Sequence, residues 1–97
     1  MEERPASSLA HYELAEALFE RRDYMGSVNE FREAIGGDLR PKWVEVWSHI
    51  SLGKIFDTTG QREREINEYR RAIRTGDDTR GAQAEAGKYL TTSYKRH

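Results

Sequence analysis

From Leu9 onward, apolar residues recur at steps of three and four, and each run ends at a turn signal. Leu9, Tyr12, Leu14, Ala15, Leu18 and Phe19 make the first stripe, which predicts an amphipathic helix. Ser7 or Ser8 stands where an N-cap is needed, and Arg21 and Arg22 close the helix at its negative end. Asp23 is placed to cap a second helix carrying Tyr24, Val28, Phe31, Ala34 and Ile35. Gly36 and Gly37 stop it, as residues tolerant of left-handed backbone do.

A short turn over 38–42 follows, and Pro41 fits the first turn of a third helix, where its missing N–H costs nothing. That helix carries Trp43, Val44, Val46, Trp47, Ile50, Leu52, Ile55 and Phe56 and is apolar around most of its circumference. Such a helix is contacted from more than one side. Thr58, Thr59 and Gly60 break the pattern, and a fourth helix follows with Ile66, Tyr69, Ala72 and Ile73, ending at Arg74. Beyond a turn at 75–78, with Asp77, Asp78 or Thr79 as cap, a fifth helix holds Ala82, Ala84, Ala86, Tyr89 and Leu90 and runs toward Tyr94. Gly81 and Gly87 weaken its pattern. No segment alternates with the period of a strand, so the chain reads as all-α.

Composition changes this picture in one respect. Of 97 residues, 36% are hydrophobic, against roughly 45–50% (counting Gly) in an average globular domain. Disorder does not account for the shortfall. Ten aromatics at helical spacing and a net charge of −1 are the opposite of a disordered composition. Thin layers needing little core per residue remain. The charge balance of 16 Lys+Arg against 17 Asp+Glu argues against a nucleic-acid partner held by bulk electrostatics. Without cysteine there is no disulfide, thiolate nucleophile or zinc–thiolate site. A mean hydropathy of −0.93 and no long apolar run exclude a membrane-spanning helix. No targeting signal is visible, and the default expectation is cytoplasmic.

The most informative feature is self-similarity. Asn29-Glu30-Phe31-Arg32-Glu33-Ala34-Ile35 recurs 38 residues later as Asn67-Glu68-Tyr69-Arg70-Arg71-Ala72-Ile73. At the same offset His11 pairs with His49, Leu14 with Leu52, Ala15 with Gly53, Leu18 with Phe56 and Val28 with Ile66. One further step takes Leu52 to Leu90 and Phe56 to Tyr94. A fixed period with two helices per unit marks a helical repeat array.

These residues resemble the tetratricopeptide repeat (TPR) family. Leu52-Gly53 followed by Phe56 is similar to its L-G-x-x-Y element, and Leu14-Ala15 followed by Leu18 is a weaker copy. Ala34 and Ala72, each behind an aromatic, resemble the small and aromatic positions of its second helix, and Asp23-Tyr24 resembles that helix's start. The resemblance implies a right-handed α-solenoid in a single domain: repeat one at about 8–37, repeat two at about 41–75, and a capping helix at about 79–94. The departures are a period of 38 where 34 is usual, and Glu65 where repeat one has Ser27, which predicts looser packing of the second helix pair. The cap is expected to turn Ala82, Ala86, Tyr89 and Leu90 inward and Gln83, Glu85, Lys88 and Lys95 outward. The stretch from Trp47 to Ile73 also resembles the C-terminal repeat segment of larger bacterial proteins, which implies an excised terminal domain.

No catalytic constellation is present. His11 and His49 occupy equivalent repeat positions, expected roughly 10 Å apart, and read as structural; no metal or cofactor is expected. The serines lack a nucleophile turn, and Gly53-Lys54 lacks phosphate-loop spacing. Glu63 and Glu65, interleaved with Arg62 and Arg64, read as a solvated face. Arg70, Arg71, Arg74 and Arg80 form the densest basic group, but Glu63, Glu65, Glu68, Asp77 and Asp78 stand among them. An independent enzyme is therefore not expected. The family resemblance implies instead a groove on the first helices that takes another protein or a peptide. Its positions would be Leu9, Tyr12, Glu16, Phe19 and Glu20, then Trp47, Ile50, Lys54, Asp57 and Thr58, then Glu85, Lys88, Thr92 and Lys95. Tyr12, Phe19, Trp47 and Ile50 would supply apolar contacts, with Glu16, Lys54 and Lys88 setting charge preference. Tyr12, Phe19 and Trp47 fit burial between the helices equally well. The alternative is a structural, self-associating or accessory domain without a ligand of its own, in a chain that is a monomer or a weak self-associator.

Overall fold

The computed structural model describes residues 7–91. Five α-helices follow one another: α1 (Ser8–Glu20), α2 (Tyr24–Ile35), α3 (Trp43–Thr58), α4 (Arg62–Arg74) and α5 (Ala82–Thr91), with a 3-10 turn at Thr79–Gly81 before α5. The described residues contain no strand, and none of their helices is long and apolar enough to cross a membrane. Thr92, Tyr94 and Lys95, which the sequence assigns to the last helix, lie outside the described residues.

Local chemistry sets the helix ends. Ser7 Oγ accepts from Ala10 N at 3.2 Å and Asp23 Oδ1 accepts from Gly26 N at 3.1 Å, so both are N-caps. Asp78 Oδ1 accepts from Gln83 N at 3.0 Å. Gly60 and Gly76 take φ values of 77° and 72° in the turns after α3 and α4. Two expectations need correction. Gly36 ends α2 at φ −85°, and the left-handed backbone falls on Leu39 at φ 53°. Pro41 precedes α3, which starts at Trp43, and only its carbonyl joins the first turn by accepting from Val44 N. Arg21 is the C-cap of α1, as expected, and Arg22 follows it at φ 63°.

Helices pack in chain order, α1 on α2, α2 on α3, α3 on α4 and α4 on α5, and α3 also touches α1 and α5. The result is long and thin, 50 × 29 × 20 Å. It has two small cores. Tyr12, Phe31, Ala34, Leu52, Ile55 and Phe56 form one between α1, α2 and α3. Val46, Ile50, Tyr69, Ala72, Ala82 and Ala86 form the other between α3, α4 and α5. The all-round apolar surface of α3 is thereby explained, since it serves both. So is the low apolar fraction: each core is one helix layer deep.

The second helix pair is closely packed, contrary to expectation. A Cβ on Gly53 would lie 2.5 Å from Tyr69 Cε1, so the ring rests directly on the α3 backbone. Glu65 is fully buried and not on a solvated face; Arg62 Nη1 lies 2.9 Å from its Oε1. In repeat one the matching Ser27 donates to Ala15 O at 2.7 Å. Burial pushes the Glu65 carboxyl above its ordinary range; Arg62 opposes this and Asp57 adds to it. A raised native value means the folded state binds the extra proton. Stability from this group is thus present at acid pH and lost as pH climbs from the ordinary value of 4.5 through the raised one. Glu65→Gln should therefore gain on the native chain with rising pH in parallel thermal melts; a difference independent of pH would refute this role.

At the first and last helices, polar side chains act as latches. Ser8, fully buried, donates through Oγ to Ala34 O at 2.6 Å and accepts from Leu39 N at 2.7 Å. Gln83 donates to Ala72 O at 3.2 Å and Asp77 O at 3.0 Å. Glu85 Oε2 lies 3.0 Å from Lys54 Nζ. Gln83 and Glu85 thus face inward on α5, correcting the expected outer face; Ala82 and Ala86 are buried as expected and Lys88 is exposed. Ser8→Ala leaves the Leu39 N–H without its acceptor and should lower stability by about 1–3 kcal/mol, read as a denaturant midpoint shift at constant slope.

Candidate functional site

The first helices of the two hairpins, α1 and α3, enclose a groove of about 360 Å³. Glu16, Phe19 and Glu20 line it from α1, and Trp47, Ser51 and Lys54 from α3. Tyr12 and Phe31 form its floor, both buried, with ring centroids 5.5 Å apart edge to face. Helical spacing makes this lining. Tyr12, Glu16, Phe19 and Glu20 recur at three and four residues on α1, as do Trp47, Ser51 and Lys54 on α3.

The floor is rigid. Tyr12 also meets Trp43 edge-on at 5.3 Å, and Phe19 packs on Tyr24 at 5.9 Å. Trp47 touches both cores, and its Nε1 donates to Thr79 O at 2.9 Å. Arg80 lies 4.8 Å from the Trp43 ring centroid, so the turn before α5 is held on α3 by both tryptophans. Burial raises the Tyr12 phenol above its ordinary range, and the hydrogen-bonded Glu16 carboxylate adds to the rise. The phenol stays neutral, and Glu16 is oriented at the groove's edge.

The expected groove residues divide accordingly. Glu16, Phe19, Trp47 and Lys54 line the groove, and Tyr12 is its floor. Ile50 is not a contact residue: it is fully buried in the α3–α4–α5 core, because its face of α3 points at α4 and α5. Leu9 is half-buried against the first core. Lys88 lies over the Tyr89 ring at 5.2 Å and is not among the groove's lining residues. Sequence reasoning missed Ala17, Phe31 and Ser51. Ser51 carried a usable signal, standing four residues after Trp47 and three before Lys54.

Each of the two described histidines has a carboxylate partner on the second helix of its own hairpin. His11 Nδ1 is 2.6 Å from Glu30 Oε1, and His49 Nδ1 is 2.7 Å from Glu68 Oε1. An ionised carboxylate only accepts, so Nδ1 supplies the hydrogen. Glu30 and Glu68 are themselves 38 residues apart, so the pair is duplicated with the repeat. No group of three or more His, Cys, Asp and Glu among the described residues could hold a metal ion. Comparison with protein-family models, curated proteins and solved structures returns no match.

Proposed function

We propose that the chain is a TPR-like helical-repeat scaffold, without catalysis of its own, that binds an extended peptide or protein segment in the groove between α1 and α3. The observation carrying this reading is the groove itself: Glu16, Phe19, Trp47 and Lys54 converge on one concavity over a rigid aromatic floor. Half-buried aromatics beside charged side chains have the make-up of binding anchors. Support for a repeat array comes from paired positions. Leu52 is 1% exposed because the α1–α2 hairpin covers it, whereas Leu14, its counterpart, is 48% exposed with no hairpin of the described residues ahead of it.

Ile50 belongs to the core, so the test uses side chains that line the groove without carrying the core. Ala17→Arg with Ser51→Arg fills the groove from both walls. A class of the random-sequence peptides selected on the native chain should bind this variant at least about tenfold more weakly, a loss of about 1.4 kcal/mol, with helical circular dichroism unchanged. Undiminished binding of every selected peptide would remove the groove assignment.

Exposed Leu14 also favours a second reading, end-to-end self-association through the outer face of α1. Sedimentation across a wide concentration range decides it. A strict monomer excludes this reading.

A further inference from the structure

A second concavity lies between the second helices, on a wall the peptide groove does not use. It has two adjoining lobes that share Arg32, Phe56 and Arg64. The larger lobe, about 340 Å³, is apolar in depth, lined by Tyr24, Val28 and Ile55 and edged by Met25. Met25 is 81% exposed, the most exposed large apolar side chain among the described residues. The smaller lobe adds Asn67 and Arg71.

Its charge is one-sided. Glu68 is the one carboxylate lining either lobe among the described residues. It is buried, with one oxygen on His49 and the other 3.2 Å from Arg71 Nη1. Glu65, which in the sequence offset the α4 arginines, is fully buried and faces Arg62. Arg32 and Arg64 have no carboxylate at ion-pair distance among the described residues. Arg64 lies 5.8 Å from the Phe56 ring centroid and so stands over the apolar slot.

We propose that this α2–α3–α4 concavity binds a peptide segment bearing an apolar side chain followed by carboxylates. The apolar residue enters the slot beside Met25, a side chain that adapts its shape to a partner. The carboxylates meet Arg32 and Arg64, whose planar forks fit them. A nucleic acid fits this surface less well. Single strands need open ring faces to stack on, and here Phe56 is 2% exposed while Tyr24 packs against Phe19.

The test is selection of random-sequence displayed peptides on the native chain, with binding then measured to R32E/R64E and to the charge-neutral R32Q/R64Q. The expected result is a class of selected peptides with a Leu, Met or Phe next to Asp or Glu. These lose at least about tenfold in affinity on R32E/R64E, less on R32Q/R64Q, and bind Ala17→Arg/Ser51→Arg unchanged. That last arm separates this site from the α1–α3 groove, whose failure would leave it intact. The neutral variant keeps the test open if charge reversal perturbs folding. Absence of an acidic class overturns the proposal, as does equal binding to the native chain and both arginine variants. Arginine-dependent binding of a labelled oligothymidylate in place of peptides also overturns it and assigns the surface to nucleic acid.

Discussion

Gly53→Val should be among the most damaging single substitutions in the chain, costing about 3 kcal/mol or more. The first added atom would stand 2.5 Å from Tyr69 Cε1 and 2.6 Å from Cζ, and Tyr69 is a fully buried ring in the α3–α4–α5 core with no free end to swing aside. Gly53→Ala should cost less, because overpacking is offset by about 1 kcal/mol of helix propensity. Gly87 is the control. It also lies within a helix, but a Cβ there meets nothing within 4 Å, so Gly87→Ala should stabilise by about 0.5–1 kcal/mol. Denaturant midpoints of the three variants check the contrast. Similar losses at both glycines would mean that Tyr69 does not rest on α3.

The second large effect separates the two histidines. His49→Ala should cost about 3 kcal/mol and His11→Ala about 1 kcal/mol, although the two pairs have nearly the same length, 2.7 and 2.6 Å. Burial makes the difference. The His49–Glu68 side chains are 10% and 8% exposed, so removing the imidazole strands a carboxylate away from water with only Arg71 left to it. The His11–Glu30 side chains are 30% and 24% exposed, and water replaces the lost partner. In a domain of this size the expected gap is roughly 8–16 °C in Tm. Equal losses would show that the pairs differ in position but not in energetic role.

Much of the helix order was legible because apolar spacing, caps and turn glycines agreed at most boundaries. Asp23, Gly60, Gly76 and Asp78 each act in the structure where the sequence placed a cap or turn. Legibility failed where tertiary context decides. Glu65 reads as a surface carboxylate in any sequence window, and only the closure of α3 on α4 buries it beside Arg62. Leu14 and Leu52 are the same residue at the same repeat position, yet one is exposed and one buried, since among the described residues a hairpin stacks on Leu52 and none on Leu14. The histidine partners were within reach: the offset that linked His11 to His49 also links Glu30 to Glu68. At the groove, Glu16, Phe19, Trp47 and Lys54 followed from helical spacing. Ile50 did not, because α3 is apolar on nearly every side and spacing alone does not say which side faces a partner.

The central claim is that α1 and α3 form the binding face. Its most direct test is a 1H–15N chemical-shift titration of the chain with selected peptides that still bind R32E/R64E. Shifts should concentrate at the backbone amides of Glu16, Ala17, Phe19, Ser51 and Lys54 and on the Trp47 indole N–H, which now donates to Thr79. Shifts centred instead on Leu14 and the outer face of α1, or no peptide meeting that condition, would contradict it.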